Sequence, residues 1–161
     1  MRFKDFIRQM FNHVLRGNNL ICARLSSIRM HNKILISESA DLKDCPMRFN
    51  ACNGCSITIE DDCLFSNNIE IHTSDYHPIY CGNEKMCYSK SVVIGKHSWI
   101  GLKSVLLKGV ELAPNTIVGA CSVVTKPNKK EYTAIAGNPA HEIKANVIWR
   151  FSEKESLEIE D

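Results

Sequence analysis

Divided into sixes, residues 92–125 read VVIGKH SWIGLK SVLLKG VELAPN TIVGAC SVVT. The third place of each unit is aliphatic: Ile94, Ile100, Leu106, Leu112, Val118 and Val124. The first place holds Val92, Ser98, Ser104, Val110, Thr116 and Ser122, all small or β-branched. The fourth holds Gly95, Gly101, Leu107, Ala113, Gly119 and Thr125, mostly glycine or small. A helix repeats about every 3.6 residues and a strand every 2, so neither alone gives a period of six. A short strand followed by a tight turn does. The aliphatic side chain points inward and the small residue fits the corner. This is the hexapeptide pattern of a parallel β-helix, whose rungs bury their apolar sides only against their neighbours.

Towards the N-terminus the pattern continues in rougher form. Ile57/Ile59, Cys63/Phe65 and Ile69/Ile71 keep the spacing, as do Ile34/Ile36 and Ala40/Leu42, with Met47/Phe49 after a one-residue slip. Asn50 to Ser56 is turn chemistry, a bulge between rungs. Rungs are therefore expected from about Ile28 to Val124, interrupted once between Thr73 and Ser91. At three rungs per coil, or about 18 residues, that makes about five coils. The spacing leaves the hand of the coil open.

A chain of 161 residues reads as one domain. Its expected parts are an N-terminal amphipathic helix over 1–17, a hexapeptide β-helix over 28–126 with a loop at 73–91, and a C-terminal extension over 127–161. The helix is read from Phe3, Phe6, Ile7, Met10, Phe11, Val14 and Leu15 on one face, with Gly17 as its stop. It would cap the solenoid. Its basic residues Arg2, Lys4, Arg8 and Arg16 also suit peripheral contact with a membrane surface. Charges interrupt every apolar run there, which argues against a signal peptide, and no run is long enough to span a membrane. The expected location is cytoplasmic, with the inner membrane face as its extension.

Net charge is +2, but residues 1–33 carry seven Lys/Arg against Asp5, while residues 151–161 carry five acids against Lys154. That asymmetry favours contact between ends or between chains. Without aromatic residues interleaved in a basic patch, nucleic acid is not an expected partner. The eight cysteines are read as small fillers in a reducing compartment. Cys63 sits in a small-residue slot and Cys121 in a turn. Cys52-x2-Cys55, with Cys81 and Cys87, has zinc-like spacing as the lesser alternative.

The interruption reads His72-Thr73-Ser74-Asp75-Tyr76-His77-Pro78-Ile79-Tyr80. Loops carried on rigid scaffolds are where chemistry concentrates. Pro78 holds His77 in extended backbone, and Asp75 lies two residues before it. A carboxylate beside an imidazole fixes its tautomer and leaves the other nitrogen free as a base.

Four motifs now stand in order: His77-Pro78 in the loop, Val93 to Gly101, Val118 to Lys126, and Ala136-Gly137-Asn138-Pro139-Ala140. Over about residues 28 to 145 this layout resembles the hexapeptide-repeat acyltransferases. Maltose, galactoside and bacterial capsule or O-antigen O-acetyltransferases share it. Thr73-Ser74-Asp75-x-His77 is closer to the polysaccharide-modifying branch. The resemblance implies an all-β, left-handed parallel β-helix and a homotrimer with active sites between subunits. It also implies acetyl-CoA as cosubstrate and a carbohydrate acceptor, with no metal. It assigns His77 as the catalytic base, with Asp75 beside it as orienter or acceptor contact. Trp99, Gly101, Ala120, Thr125, Lys126, His141 and Lys144 fall to the coenzyme. His141 stands where arginine is usual, which removes bidentate phosphate binding there. Leu102 replaces a common serine.

The expected function is O-acetyl transfer to a sugar hydroxyl of a surface polysaccharide or its precursor, with a small sugar or xenobiotic as alternative acceptor. A different chemistry is raised by His72-x4-His77, the spacing of two zinc ligands in β-helical (gamma-class) carbonic anhydrases. Their third histidine would fall near Ile36, and His31 stands off register. His97 is read as a surface residue and Trp149 as packing for the C-terminal segment.

Overall fold

The computed structural model describes residues 11–16, 19–24, 33–36, 40–42, 47–86 and 88–151. The chain winds as a triangular solenoid. One coil is β3 (Lys33–Ile36), β4 (Asp41–Leu42) and β5 (Met47–Asn50), and the next is β6 (Ser56–Ile59), β7 (Leu64–Phe65) and β8 (Glu70–His72). After the loop, which carries the short pair β9 (Tyr80–Cys81) and β10 (Glu84–Lys85), come β11 (Val92–Ile94), β12 (Trp99–Ile100) and β13 (Val105–Leu106). A further coil is β14 (Glu111–Leu112), β15 (Thr116–Val118) and β16 (Val123–Val124). Each coil contributes one strand to each of three parallel sheets, the first holding β5, β8, β13 and β16, the second β3, β6, β11 and β14, and the third β4, β7, β12 and β15.

The registers carry the period through the structure. Val93 pairs with Glu111 and Trp99 with Ile117, eighteen residues on. Across the loop Ile57 pairs with Val92 and Leu64 with Trp99, thirty-five residues apart. The loop is thus an insertion that leaves the stack in register. Ile57, Ile59, Phe65, Ile71, Ile94, Ile100, Leu106, Leu112, Val118 and Val124 fill the axis of the coil, and the rings of Phe49 and Phe65 meet edge-on at 6.1 Å.

The small first places are buried, and their hydroxyls are spent on turn carbonyls. Ser98 Oγ donates to Gly95 O at 2.7 Å, Thr116 Oγ1 to Ala113 O at 2.7 Å, and Ser104 Oγ to Gly119 O at 3.0 Å. Buried hydroxyls without such acceptors would destabilise the rung. Gly101 answers a tighter demand. A Cβ there would lie 2.5 Å from Val118 O in the next coil, and the same holds at Gly95 against Leu112 O. The corners share one conformation as well. His97, Lys103, Gly109, Asn115 and Cys121, six apart, all have positive φ between 54° and 77°.

Both ends finish in antiparallel strands. β17 (Thr133–Gly137) extends the third sheet beyond Lys126, pairing Thr116 with Thr133, and β18 (Ala140–Ala145) folds back on it. At the other end β1 (Phe11–Arg16) pairs antiparallel with β2 (Asn19–Arg24), which lies parallel to β5. Of the helix expected over 1–17, the described part, Phe11–Arg16, is a strand. The register pairs Arg16 with Asn19. Pairing with the sheet edge outweighs a helical apolar stripe that the same residues also fit. The first ten positions of the expected helix lie outside the described residues. Among the described residues, no helix is long and apolar enough to cross a membrane.

Candidate active site

The loop leaves the solenoid after β8, where the first sheet gives way to the second, and its neck is tied at several points. Thr73 is buried. Its N–H donates to Asn50 O at 3.1 Å, its Oγ1 accepts from Cys52 N–H at 2.8 Å, and its carbonyl accepts from Lys90 N–H at 2.9 Å. Asn53 Nδ2 reaches both limbs, donating to Ser74 Oγ at 3.3 Å and to Ser89 Oγ at 2.7 Å. The bulge at 50–56, turn chemistry in the sequence, is the floor on which the loop stands.

On the outgoing limb of the loop, ahead of the β9–β10 pair, His77 is exposed and its backbone is constrained. Its N–H donates to Asp75 O at 2.8 Å, closing a three-residue turn around Tyr76. Tyr76 has φ of 65°, a region few bulky residues occupy. Tyr76 N–H donates to Ser74 Oγ at 3.0 Å. The Asp75 carboxylate is ion-paired with Lys108, on the corner of the following coil. So Asp75 meets His77 through its carbonyl, while its side chain anchors the loop to the solenoid. Tyr76, Ile79, Tyr80, Met86 and Tyr88 stand exposed along the loop.

His72, at the root of the loop, is not presented as a metal ligand. Nε2 faces Glu70 Oε2 at 3.0 Å, and Nδ1 faces Tyr76 Oη at 2.6 Å and Asn50 Nδ2 at 3.2 Å. Among the described residues no group of three His, Cys, Asp or Glu is placed to hold a metal ion. Cys52 and Cys55 lie across a tight turn and are not joined in a disulfide, Cys55 N–H donating to Cys52 O at 3.0 Å. Burial, then the neighbouring Cys52, pushes the Cys55 thiol up.

Trp99 opens β12 on the third sheet and points outward, 37% exposed, with Nε1 donating to Ser66 Oγ at 3.2 Å. Beside it lies a cluster that the sequence did not disclose. Trp149 is buried and stacks on the His97 ring at 4.4 Å, with Nε1 donating to His97 O at 2.8 Å. His97 Nδ1 meets Asp62 Oδ2 at 2.6 Å, and Nε2 meets Trp149 O at 3.1 Å. The Trp149 ring lies 6.4 Å from that of Trp99 and 4.7 Å from that of Phe151. His97 is thus a clamp for the C-terminal segment rather than a simple surface residue. Its pairing with Asp62 follows the same thirty-five-residue offset that pairs Leu64 with Trp99.

The remaining positions are spread along the solenoid. Gly101 is buried against the next coil, which accounts for it by packing. Ala120, Thr125 and Lys126 are exposed, Ala120 at the corner after β15 and the other two after β16. His141 and Lys144 are exposed on β18, His141 Nδ1 lying 3.4 Å from Pro139 O. In a single chain, then, His77 stands at one corner of the triangle, between the first and second sheets, while Trp99 and β18 belong to the third sheet.

No protein-family model matches the chain. Among curated proteins it is 33% identical to a polysialic acid O-acetyltransferase of Escherichia coli O1:K1 / APEC over 109 residues, 66% of this chain and 35% of that protein. It is 39% identical to the polysialic acid O-acetyltransferase of Neisseria meningitidis over 95 residues, 58% of this chain and 44% of that one. The chain thus matches less than half the length of either relative. The crystal structure of the polySia-specific acetyltransferase NeuO superposes with a TM-score of 0.69 at 24% identity, covering 85% of this chain and 71% of that one. In sequence the chain is similar to these O-acetyltransferases over part of their length. Its fold is the left-handed parallel β-helix of the acetyltransferase structure it superposes on, against the right-handed habit of most parallel crossovers. The break in the solenoid presents a histidine whose backbone is held in a strained turn.

Proposed function

We propose that this chain is an acetyl-CoA-dependent O-acetyltransferase acting on a sugar hydroxyl of a surface polysaccharide or its precursor. The observation that carries the reading is His77, exposed on the outgoing limb of a loop whose neck and turn are tied to the solenoid. The acceptor class is supported by the two relatives named for O-acetylation of polysialic acid.

A sugar hydroxyl is a weak nucleophile at neutral pH, and a thioester is an activated acyl donor. Neutral His77 takes the hydroxyl proton as the oxygen attacks the thioester carbonyl. Such general-base help is worth about 10²–10⁴-fold. Backbone N–H groups of the solenoid turns stabilise the oxyanion. Collapse breaks the carbon–sulfur bond, and the imidazolium returns its proton to the departing thiolate. Asp75 supports His77 by accepting its backbone N–H while Lys108 holds the carboxylate.

Trp99 offers an aromatic face to the pantetheine arm. Ala120 and Thr125 lie along its course, and Lys126, His141 and Lys144 provide cations near its phosphates. In this reading a homotrimer brings the His77 corner of one protomer against the Trp99 face of its neighbour. Coenzyme supply puts the reaction on the cytoplasmic side, within reach of a precursor at the inner membrane face.

The test is release of coenzyme A from acetyl-CoA across sugar and glycan acceptors, with products located by NMR. His77→Ala is expected to lower turnover by at least about 10²-fold with the fold intact. Comparable turnover in the variant would remove His77 from the mechanism. A wild-type protein that never consumes acetyl-CoA would remove the transferase reading itself.

A further inference from the structure

The turn that presents His77 is unfavourable by itself, and the structure shows what holds it. Tyr76 sits at its centre with φ of 65°, where glycine or asparagine would be expected. Its phenol meets His72 Nδ1 at 2.6 Å, and the two rings cross edge-on at 83°. Asn50 Nδ2 also points at His72 Nδ1, from 3.2 Å, and an amide nitrogen can only donate. Nδ1 is therefore an acceptor, and the ring proton sits on Nε2, donated to Glu70 Oε2 at 3.0 Å. The Tyr76 hydroxyl must then be a donor to Nδ1. Glu70 is braced in turn by Arg48 at 3.5 Å. The chain Glu70–His72–Tyr76 thus runs from the rigid strand β8 to the residue before His77, with each donor and acceptor assigned.

We infer that Tyr76 is a positioning residue, held by His72, that fixes the direction in which His77 presents its imidazole. The inference rests on His77 being the base. Strained backbone persists only where the surroundings over-determine it, and here a hydrogen bond from the strained side chain to the solenoid supplies that determination. Without the phenol O–H the turn relaxes, and His77 samples directions from which it does not reach the acceptor hydroxyl.

The experiment measures kcat and KM for coenzyme A release, using acetyl-CoA and the best glycan acceptor found for the wild type. Tyr76→Phe removes one oxygen and is expected to lower kcat about tenfold while leaving both KM values and the thermal midpoint unchanged. His72→Phe, which removes the acceptor, should match it. His72→Asn, which keeps an oxygen near the Nδ1 position, should recover most of the loss. In a His77→Ala background, Tyr76→Phe should have no further effect, since a residue acting through another adds nothing once that partner is gone. A Tyr76→Phe enzyme with wild-type kcat, or additive losses in the double variant, would overturn the inference. If His77→Ala alone leaves turnover intact, it is the general-base reading that fails, and the two failures are distinguished.

Discussion

A thiol shows how strict each rung position is. Cys63 occupies the slot held by Ser98 and Ser104 in later rungs, fully buried, with Sγ 3.3 Å from Gly95 O and 3.7 Å from Asp61 O. A thiolate there would face carbonyl oxygens with no water. Burial pushes its pKa up from 9.0 to about 11, and neighbouring carboxylates add to the shift. Because the folded state holds the proton more tightly than the unfolded chain, this contribution is complete below about pH 9. It is lost as pH rises towards 11, by about 2 to 3 kcal/mol. Urea unfolding of wild type and Cys63→Ser should therefore diverge above pH 9, with the wild type losing more stability. Parallel curves from pH 8 to 11 would mean that the thiol ionises in the folded state as readily as in the unfolded one.

At the scale of the rung, the corner sets the tolerance. His97, Lys103, Asn115 and Cys121 adopt left-handed φ, and each N–H donates to a carbonyl of the coil before it, as Lys103 does to Asn67 O at 2.9 Å. A β-branched residue at such a corner meets its own backbone. Lys103→Val is expected to cost about 1–2 kcal/mol, and Lys103→Asn close to nothing, as read by thermal unfolding. The strict period from Val92 to Val124 made the strands from β11 to β16 legible, because each unit repeats the same inward aliphatic and small corner residue. The break in that period located the loop. The hairpin β1–β2 was hidden because Phe11, Val14 and Leu15 fit a helical stripe as well as a strand. The site's supports were illegible for a different reason. Lys108 meets Asp75, and His97 meets Asp62 and Trp149, across 33, 35 and 52 residues. Such contacts follow from which coil stacks on which, and the insertion at 73–91 conceals that register until the fold is known.

For the molecule as a whole, the triangular section decides how a complete site is assembled. His77 stands at the corner between the first and second sheets, and Trp99 lies on the third. In the proposed trimer a site using both takes His77 from one copy and Trp99 from the next. In that proposal closed ring symmetry would supply three identical, heterologous contacts. Light scattering should then give three times the 18.2 kDa of the chain. A sharper consequence concerns activity. His77→Ala and Trp99→Ala protomers are each expected to form feeble sites, yet trimers co-assembled from equal amounts of both would contain sites built from the two intact residues. With random assembly such sites make up about one in four, so coenzyme A release should recover to about a quarter of wild type. Co-assembled protein no more active than the average of its parts would show that each site is drawn from one chain. The His77 loop would then have to meet a coenzyme on the face of its own protomer.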